Sequence, residues 1–175
     1  MKKLLLLLIL PVFFSAGCSM KMPMNPAEFR QMVPESMFGK KDSYTVNRSL
    51  SKITKTFKQK SDKCLRKSIE RTSCQSNGYG TTCHKTINHY NPKIKLTKNK
   101  MEFTIQTSVE GNVIILGGDP PKGGMYQLVA DITAVGKNKS QVDVYYGWAG
   151  SDMFVSAIKN WANGKTRGCP DLTQN

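Results

Sequence analysis

The chain has 175 residues, with 26 Lys or Arg against 12 Asp or Glu and a formal net charge of +14. This length excludes two large cores and fits one domain of ordinary size with a short tether. The distribution of charge is more informative than its total: residues 40–100 hold sixteen Lys or Arg against Asp42, Asp62 and Glu70, whereas residues 101–175 hold six basic and seven acidic residues.

In chain order, Lys2 and Lys3 precede an apolar run over residues 4–14, interrupted by Pro11 and followed by the small residues Ser15, Ala16 and Gly17. This is the layout of a secretory signal. At about 1.5 Å per helical residue the run spans roughly 17 Å, well short of a ~30 Å hydrocarbon core, which disfavours a mature transmembrane helix. Ser15-Ala16-Gly17-Cys18 resembles a bacterial lipobox, with Ser15 where that family usually carries an aliphatic residue. The resemblance implies that the Cys18 thiol is diacylglycerylated, that the signal is cut just before it, and that the new amino terminus is acylated, with palmitate the expected chain. Three acyl chains would anchor stably where one would hold only marginally. Ser19 follows the cysteine in place of Asp, and by the sorting rule of Gram-negative lipoproteins this implies the outer membrane, with the domain facing the periplasm. The resemblance covers the first nineteen residues only. It divides the chain into a signal peptide over 1–17, a lipidated N-terminus and flexible tether over 18–41, and a single disulfide-bonded domain over 42–175.

With Cys18 assigned to lipid, four cysteines remain, an even number that in an exported chain reads as two disulfides with three possible connectivities. The favoured pairs are Cys74 with Cys83 and Cys64 with Cys169. The first brackets Ser76-Asn77-Gly78-Tyr79-Gly80, whose Asn and Gly residues suit a tight reversal.

Residues 19–41 carry Pro23, Pro26 and Pro34 without a sustained apolar period and read as the tether. Met20, Met22, Met24, Met32 and Met37 place five thioethers there, a soft ligand set suited to Cu(I). A first strand is expected over residues 43–48. The following helix would place Leu50, Ile53, Phe57, Cys64 and Leu65 on one face and Lys52, Lys55, Lys63 and Arg66 on the other. Residues 71–92 read as a polar loop tolerated because of a disulfide. Alternation then predicts a hairpin through Ile94, Leu96, Met101, Phe103 and Ile105, a short strand at 113–116, and a Gly-Pro loop at 117–124. A second hairpin places Tyr126, Leu128, Ala130 and Ile132 on one face and returns through Val142, Val144, Tyr146 and Trp148. Ser151 opens a last helix with an apolar stripe of Met153, Phe154, Ala157, Ile158 and Trp161, ended by Gly164. The order β-α-ββ(β)-ββ-α suggests an α+β domain: an antiparallel sheet of about five strands with two helices packed on one face.

For chemistry, the only imidazoles are His84 and His89, which with Cys74 and Cys83 could form a Cys₂His₂ set whose spacing fits no standard zinc pattern. No nucleophile-elbow sequence or carboxylate pair stands out, so no catalytic residues and no cofactor or metal are expected. The basic segment is the candidate site, with Lys52, Lys55, Lys63 and Arg66 facing anionic lipid, lipopolysaccharide or an envelope protein. Export argues against nucleic acid as its partner. The expected function is that of a non-catalytic binding or envelope-assembly accessory at the outer membrane, the alternative being an envelope enzyme or metal-handling protein that uses His84, His89 or the methionine-rich tether. Replacing Cys18→Ser should abolish incorporation of labelled palmitate and retention in the membrane fraction; unchanged retention would refute the anchor.

Overall fold

The computed structural model describes residues 22–111, 119–147 and 151–173. Within them lie α1 (Pro26–Glu35), β1 (Lys40–Val46), α2 (Leu50–Cys64), β2 (Ser68–Asn77), β3 (Gly80–Leu96), β4 (Lys100–Glu110), β5 (Met125–Gly136), β6 (Lys139–Tyr146) and α3 (Asp152–Ala162). The six strands form one antiparallel sheet in the order β1-β6-β5-β4-β3-β2, curled into a half-barrel. After α2 the chain meanders back strand by strand until β6 lies beside β1, with Lys40 opposite Tyr146 and Val46 opposite Ser140.

The concave face of the half-barrel holds the main core. Period-two alternation directs Met101, Phe103 and Ile105 of β4, Leu128, Ala130 and Ile132 of β5, and Val142 and Val144 of β6 inward, all with no exposed surface. The 3.6-residue period of α2 and α3 brings Ile53, Phe57, Cys64, Phe154, Ile158 and Trp161 down onto them. Phe57 meets Phe103 edge-on at 5.1 Å and Trp161 edge-on at 5.8 Å, so one ring joins both helices to the sheet. Arg48 closes the far corner, donating to the carbonyl of Trp161 at 3.1 Å and to Thr56 Oγ1 at 2.9 Å. Gly164 follows α3 with φ +85°, a conformation that favours glycine, and a Cβ there would also lie 3.1 Å from Arg48 Cζ.

The expected α+β domain of about five strands with two helices on one face is corrected to a mostly β fold of six strands and three helices. Both expected helices do share the concave face, but α1 covers the convex face and lies inside the segment read as a flexible tether. Asn25 caps it: its Oδ1 accepts from the Glu28 amide at 2.9 Å, while Glu28 Oε2 accepts from the Met24 amide at 2.9 Å. Phe29 and Val33 then bury against Tyr126 and Val129. Two buried residues one turn apart are too sparse an apolar pattern to reveal a ten-residue helix in a segment rich in proline.

The second correction concerns residues 71–92. They are not a loop: β2 and the first half of β3 form a two-stranded arm in which residues 72–85 are exposed. β4 pairs with β3 only from Ile87 onward, so residues 80–86 of β3 are flanked on one side only. The arm lacks an apolar face to announce it. Its register is held by cross-strand pairs: Cys74 bonded to Cys83, Glu70 with Lys85 at 2.8 Å, and Ser76 Oγ with Thr81 Oγ1 at 2.8 Å. The chain reverses at Gly78-Tyr79, where the Tyr79 side chain is fully exposed. The expected strand at 113–116 and Trp148 lie outside the described residues.

Cys64 is bonded to Cys169 across 105 residues of sequence, and Cys74 to Cys83 across 9, the two pairs favoured from the sequence. In the chain-entropy model the long bridge contributes about 4–5 kcal/mol and the short one about 2–3 kcal/mol. The short bridge lies in an arm that can fray without opening the core. Replacing Cys64 and Cys169 by Ala should therefore lower the global unfolding free energy in urea by several kcal/mol. Replacing Cys74 and Cys83 should leave the midpoint nearly unchanged while raising amide exchange within residues 70–86.

Candidate functional site

α2 shows its basic row as the sequence suggested. Ile53, Phe57 and Cys64 are buried, which turns Lys52, Lys55, Lys63 and Arg66 to the exposed side. Arg66 is tied to Asp62, Nε to Oδ1, at 3.1 Å; among the described residues Lys52, Lys55 and Lys63 have no carboxylate within 4.0 Å. Their field is therefore uncompensated locally, though screened by salt beyond about 8–10 Å.

The convex face carries a second feature. β5 makes a bulge opposite the step from Ile105 to Gln106, so that Gln106 pairs with Tyr126 while Ile105 pairs with Leu128. One extra residue reverses the side-chain alternation, and Tyr126, expected on the same face as Leu128, lies instead on the convex face. There its ring is 6.0 Å from Phe29 of α1. The neighbouring Gln106 is fully buried beneath the 119–124 loop, donating to the carbonyls of Lys122 at 3.2 Å and Gly124 at 2.9 Å and accepting from Lys93 Nζ at 2.7 Å. The loop seats this closely because it carries glycine: Gly124 has φ +97°, and a Cβ there would lie 2.2 Å from the Thr107 carbonyl oxygen.

α1 is locked to the same face by charge. Arg30 makes a two-pronged contact with Asp131, Nε to Oδ2 at 2.8 Å and Nη2 to Oδ1 at 2.7 Å, and also pairs with Glu102; Lys100 Nζ reaches Asp131 at 3.1 Å. Burial acts to lower the Arg30 pKa, but the hydrogen bonds and charges of Asp131 and Glu102 outweigh it and raise the pKa above its ordinary value. Asp131 stands directly opposite Asp143 on β6, a like-charge pair that costs stability unless something positive intervenes. Arg30 and Lys100 do so at Asp131, while Asp143 takes a hydrogen bond from Ser43 at 2.6 Å.

Between the start of α1 and the open edge of β3 these elements enclose a groove of about 490 Å³ lined by Pro26, Arg66, Lys93, Lys95, Glu102 and Tyr126, with Pro92, Ile94 and Thr104. β2 stops pairing at His89 and the Tyr90 amide still donates to the Lys67 carbonyl at 3.0 Å, so the edge of β3 is open beyond Tyr90, where Arg66 comes round from the end of α2. The groove thus has a cationic lip of Arg66, Lys93 and Lys95. Its acidic residue, Glu102, is matched by Arg30. Burial, and then the charge of Glu102, raise the Tyr126 pKa above the ordinary phenol value. The sequence offered one signal for this site: Lys93 and Lys95 alternate with Ile94 and Leu96, so they share the polar face of their strand.

The remaining sequence candidates fall elsewhere. His84 is exposed on the arm, and Cys74 and Cys83, the thiols that would complete a zinc set with the two histidines, are bonded to each other. His89 Nδ1 lies 2.7 Å from Ser68 Oγ, and its Nε2 lies 3.0 Å from Glu110 Oε1. This resembles a Ser-His-acid relay in composition only. The His89 to Glu110 contact has ion-pair distance without hydrogen-bond alignment, and both Ser68 and Glu110 are exposed on the strand surface. Of the tether methionines, Met24 and Met37 are exposed at opposite ends of α1, about 15 Å apart along the helix. Among the described residues no group of three or more His, Cys, Asp or Glu side chains is placed to hold a metal, and no helix is long and apolar enough to cross a membrane. Cys18 lies outside the described residues. No protein-family model, curated protein or solved structure matches this chain.

Removing Arg30 would leave two carboxylates under α1 with Lys100 as their remaining cation. Arg30→Met should destabilise the protein by about 2–3 kcal/mol, at the lower end of what breaking a part-buried ion pair costs. The loss should appear first as amide exchange in α1; protection unchanged there would show that Phe29 and Val33 suffice to hold the helix.

Proposed function

We propose that the chain is a lipoprotein anchored through Cys18 in the outer membrane, facing the periplasm, and that it acts as a non-catalytic binding or assembly accessory with a basic surface for an anionic partner: lipid, lipopolysaccharide or an acidic envelope protein. The observation that carries this reading is the row of Lys52, Lys55 and Lys63 on a helix whose opposite face is fully used in the core, with no acidic residue of the described chain against it. Folding does not require four cations along that face; a solvated helix could carry mixed charge at no loss of packing. Arg66 extends the row round the edge of the sheet to Lys93 and Lys95, so the positive surface is continuous across two faces. The signal sequence and its cysteine place that surface in a compartment bounded by anionic headgroups. Two disulfides suit the same oxidising location.

The mature chain carrying Cys18→Ser, and so lacking lipid, should sediment with vesicles containing phosphatidylglycerol at low salt and lose binding as salt rises. At about 1 kcal/mol per cation near an anionic surface, replacing Lys52, Lys55, Lys63 and Arg66 together by Gln should weaken it on the order of 1,000-fold. Absence of binding at low salt, or binding indifferent to the four replacements, would leave α2 as a merely solvated face.

A further inference from the structure

The groove on the convex face is a different matter from the open row on α2, because it is concave, its walls are fixed, and it lies beside the point where the N-terminal segment joins the domain. Pro26 is both the first residue of α1 and part of the groove wall. It follows Cys18 by eight residues, a separation that can span at most ~28 Å when fully extended. The capping contacts of Asn25 and Glu28 and the Arg30 to Asp131 pair hold this end of α1 against the sheet, so the groove cannot swing away from the segment that leads to Cys18.

The groove's chemistry suits a monoanionic or dianionic phosphate carried on an apolar body. Lys93 Nζ is already oriented by Gln106 Oε1 at 2.7 Å, and this neutral partner leaves its charge uncompensated. Gly123 allows the approach, since a Cβ there would come within 3.0 Å of Lys93 Nζ. Lys95 is exposed and stands opposite Glu102 in the β3–β4 register, but Glu102 is engaged by Arg30 and Lys95 forms no ion pair with it; Arg66, its Nε held by Asp62 at 3.1 Å, lines the opposite rim. Pro26 and the Tyr126 ring supply an apolar wall that a free inorganic ion would not need, and the Tyr126 hydroxyl can donate. Met24, two residues ahead of Pro26, is about half exposed. We propose that this groove seats the phosphate headgroup of an anionic phospholipid of the membrane that anchors the chain, with Lys93, Lys95 and Arg66 taking the phosphate and Tyr126 with Pro26 lying along the glycerol portion. The inference rests on the lipid-anchor reading for the identity of the membrane. Its consequence is a fixed orientation: the convex face and α1 turn toward the bilayer, and the arm with Tyr79 at its tip is left for other contacts.

The test uses the full mature chain with Cys18→Ser, so that binding reports the groove and not the acyl chains. Monomeric short-chain phosphatidylglycerol is titrated while backbone amide resonances are followed by NMR, and inorganic phosphate is titrated in parallel. Shifts are expected at Lys93, Lys95, Thr104 and Tyr126 and not at Lys52 or Lys55. A lysine near an anionic surface is worth roughly a factor of five in binding. Lys95→Gln should therefore weaken the interaction about fivefold, and Lys93→Gln with Lys95→Gln about 25-fold. Lys95→Gln alters an exposed side chain with no hydrogen bond to lose, so it remains informative if the double variant disturbs Gln106. Inorganic phosphate should bind at least about tenfold more weakly, because it leaves the apolar wall uncovered. Equal affinity for inorganic phosphate would overturn the lipid assignment in favour of free phosphate. Shifts spread along α2, or affinity unchanged in both lysine variants, would overturn the site itself. Failure of palmitate labelling in the wild-type chain would refute the anchor while leaving the groove titration unaffected, so the two readings fail separately.

Discussion

Everything in this structure converges on Phe57. Its ring is met edge-on by Phe103 from the middle of the sheet and by Trp161 from the last helix, so the helix that bears the basic row ties both of those large groups together. Each such aromatic pair is worth about 0.5–1.5 kcal/mol beyond the area it buries. The consequence is directional. Because α2 is committed on one face to this contact, its opposite face has no freedom to turn inward, and the lysines of that face are displayed by the same geometry that builds the core. Display of charge and formation of the core are two results of one helical period.

The convex face follows another logic. A half-barrel sheet has two faces, and only one is covered by α2 and α3; the other would expose Val129, Tyr126 and the like-charge pair of Asp131 and Asp143. α1 and the 119–124 loop supply the missing cover, one through Arg30 and Phe29, the other through backbone carbonyls laid over Gln106. Neither covers the sheet as far as the edge of β3, and the groove is the space left between the start of α1 and that edge. A cavity formed in this way owes its shape to elements far apart in sequence: α1, the corner after α2, and the central strands.

The arm is the element least explained by packing. A two-stranded ribbon is marginal in water by itself, yet this one buries almost nothing and relies on a directly opposed disulfide and a few cross-strand polar pairs. Polar strands of this kind carry no hydrophobic alternation, so residues 71–92 read as a loop from sequence although the cysteine pairing that staples them was legible. The same limit hid α1, whose two buried residues sit among prolines. By contrast α2, α3 and the strands β4 to β6 were legible, since each must bury a full apolar face and therefore repeats it at 3.6 or 2 residues.

The amino-acid sequence by itself determined the short apolar run ending at Cys18, the even set of four further cysteines, the concentration of charge in residues 40–100, and the elements whose apolar period is strong. These are local properties: each is set by residues within one turn, one strand or one short motif. The tertiary structure alone decided which face α1 would cover, where Tyr126 would point, and that Arg66, Lys93 and Lys95 would line one groove. The reason is physical. A single bulged residue in β5 reverses the alternation that sequence reading depends on, and the sum of many contacts across the sheet, not any local preference, determines where that bulge falls.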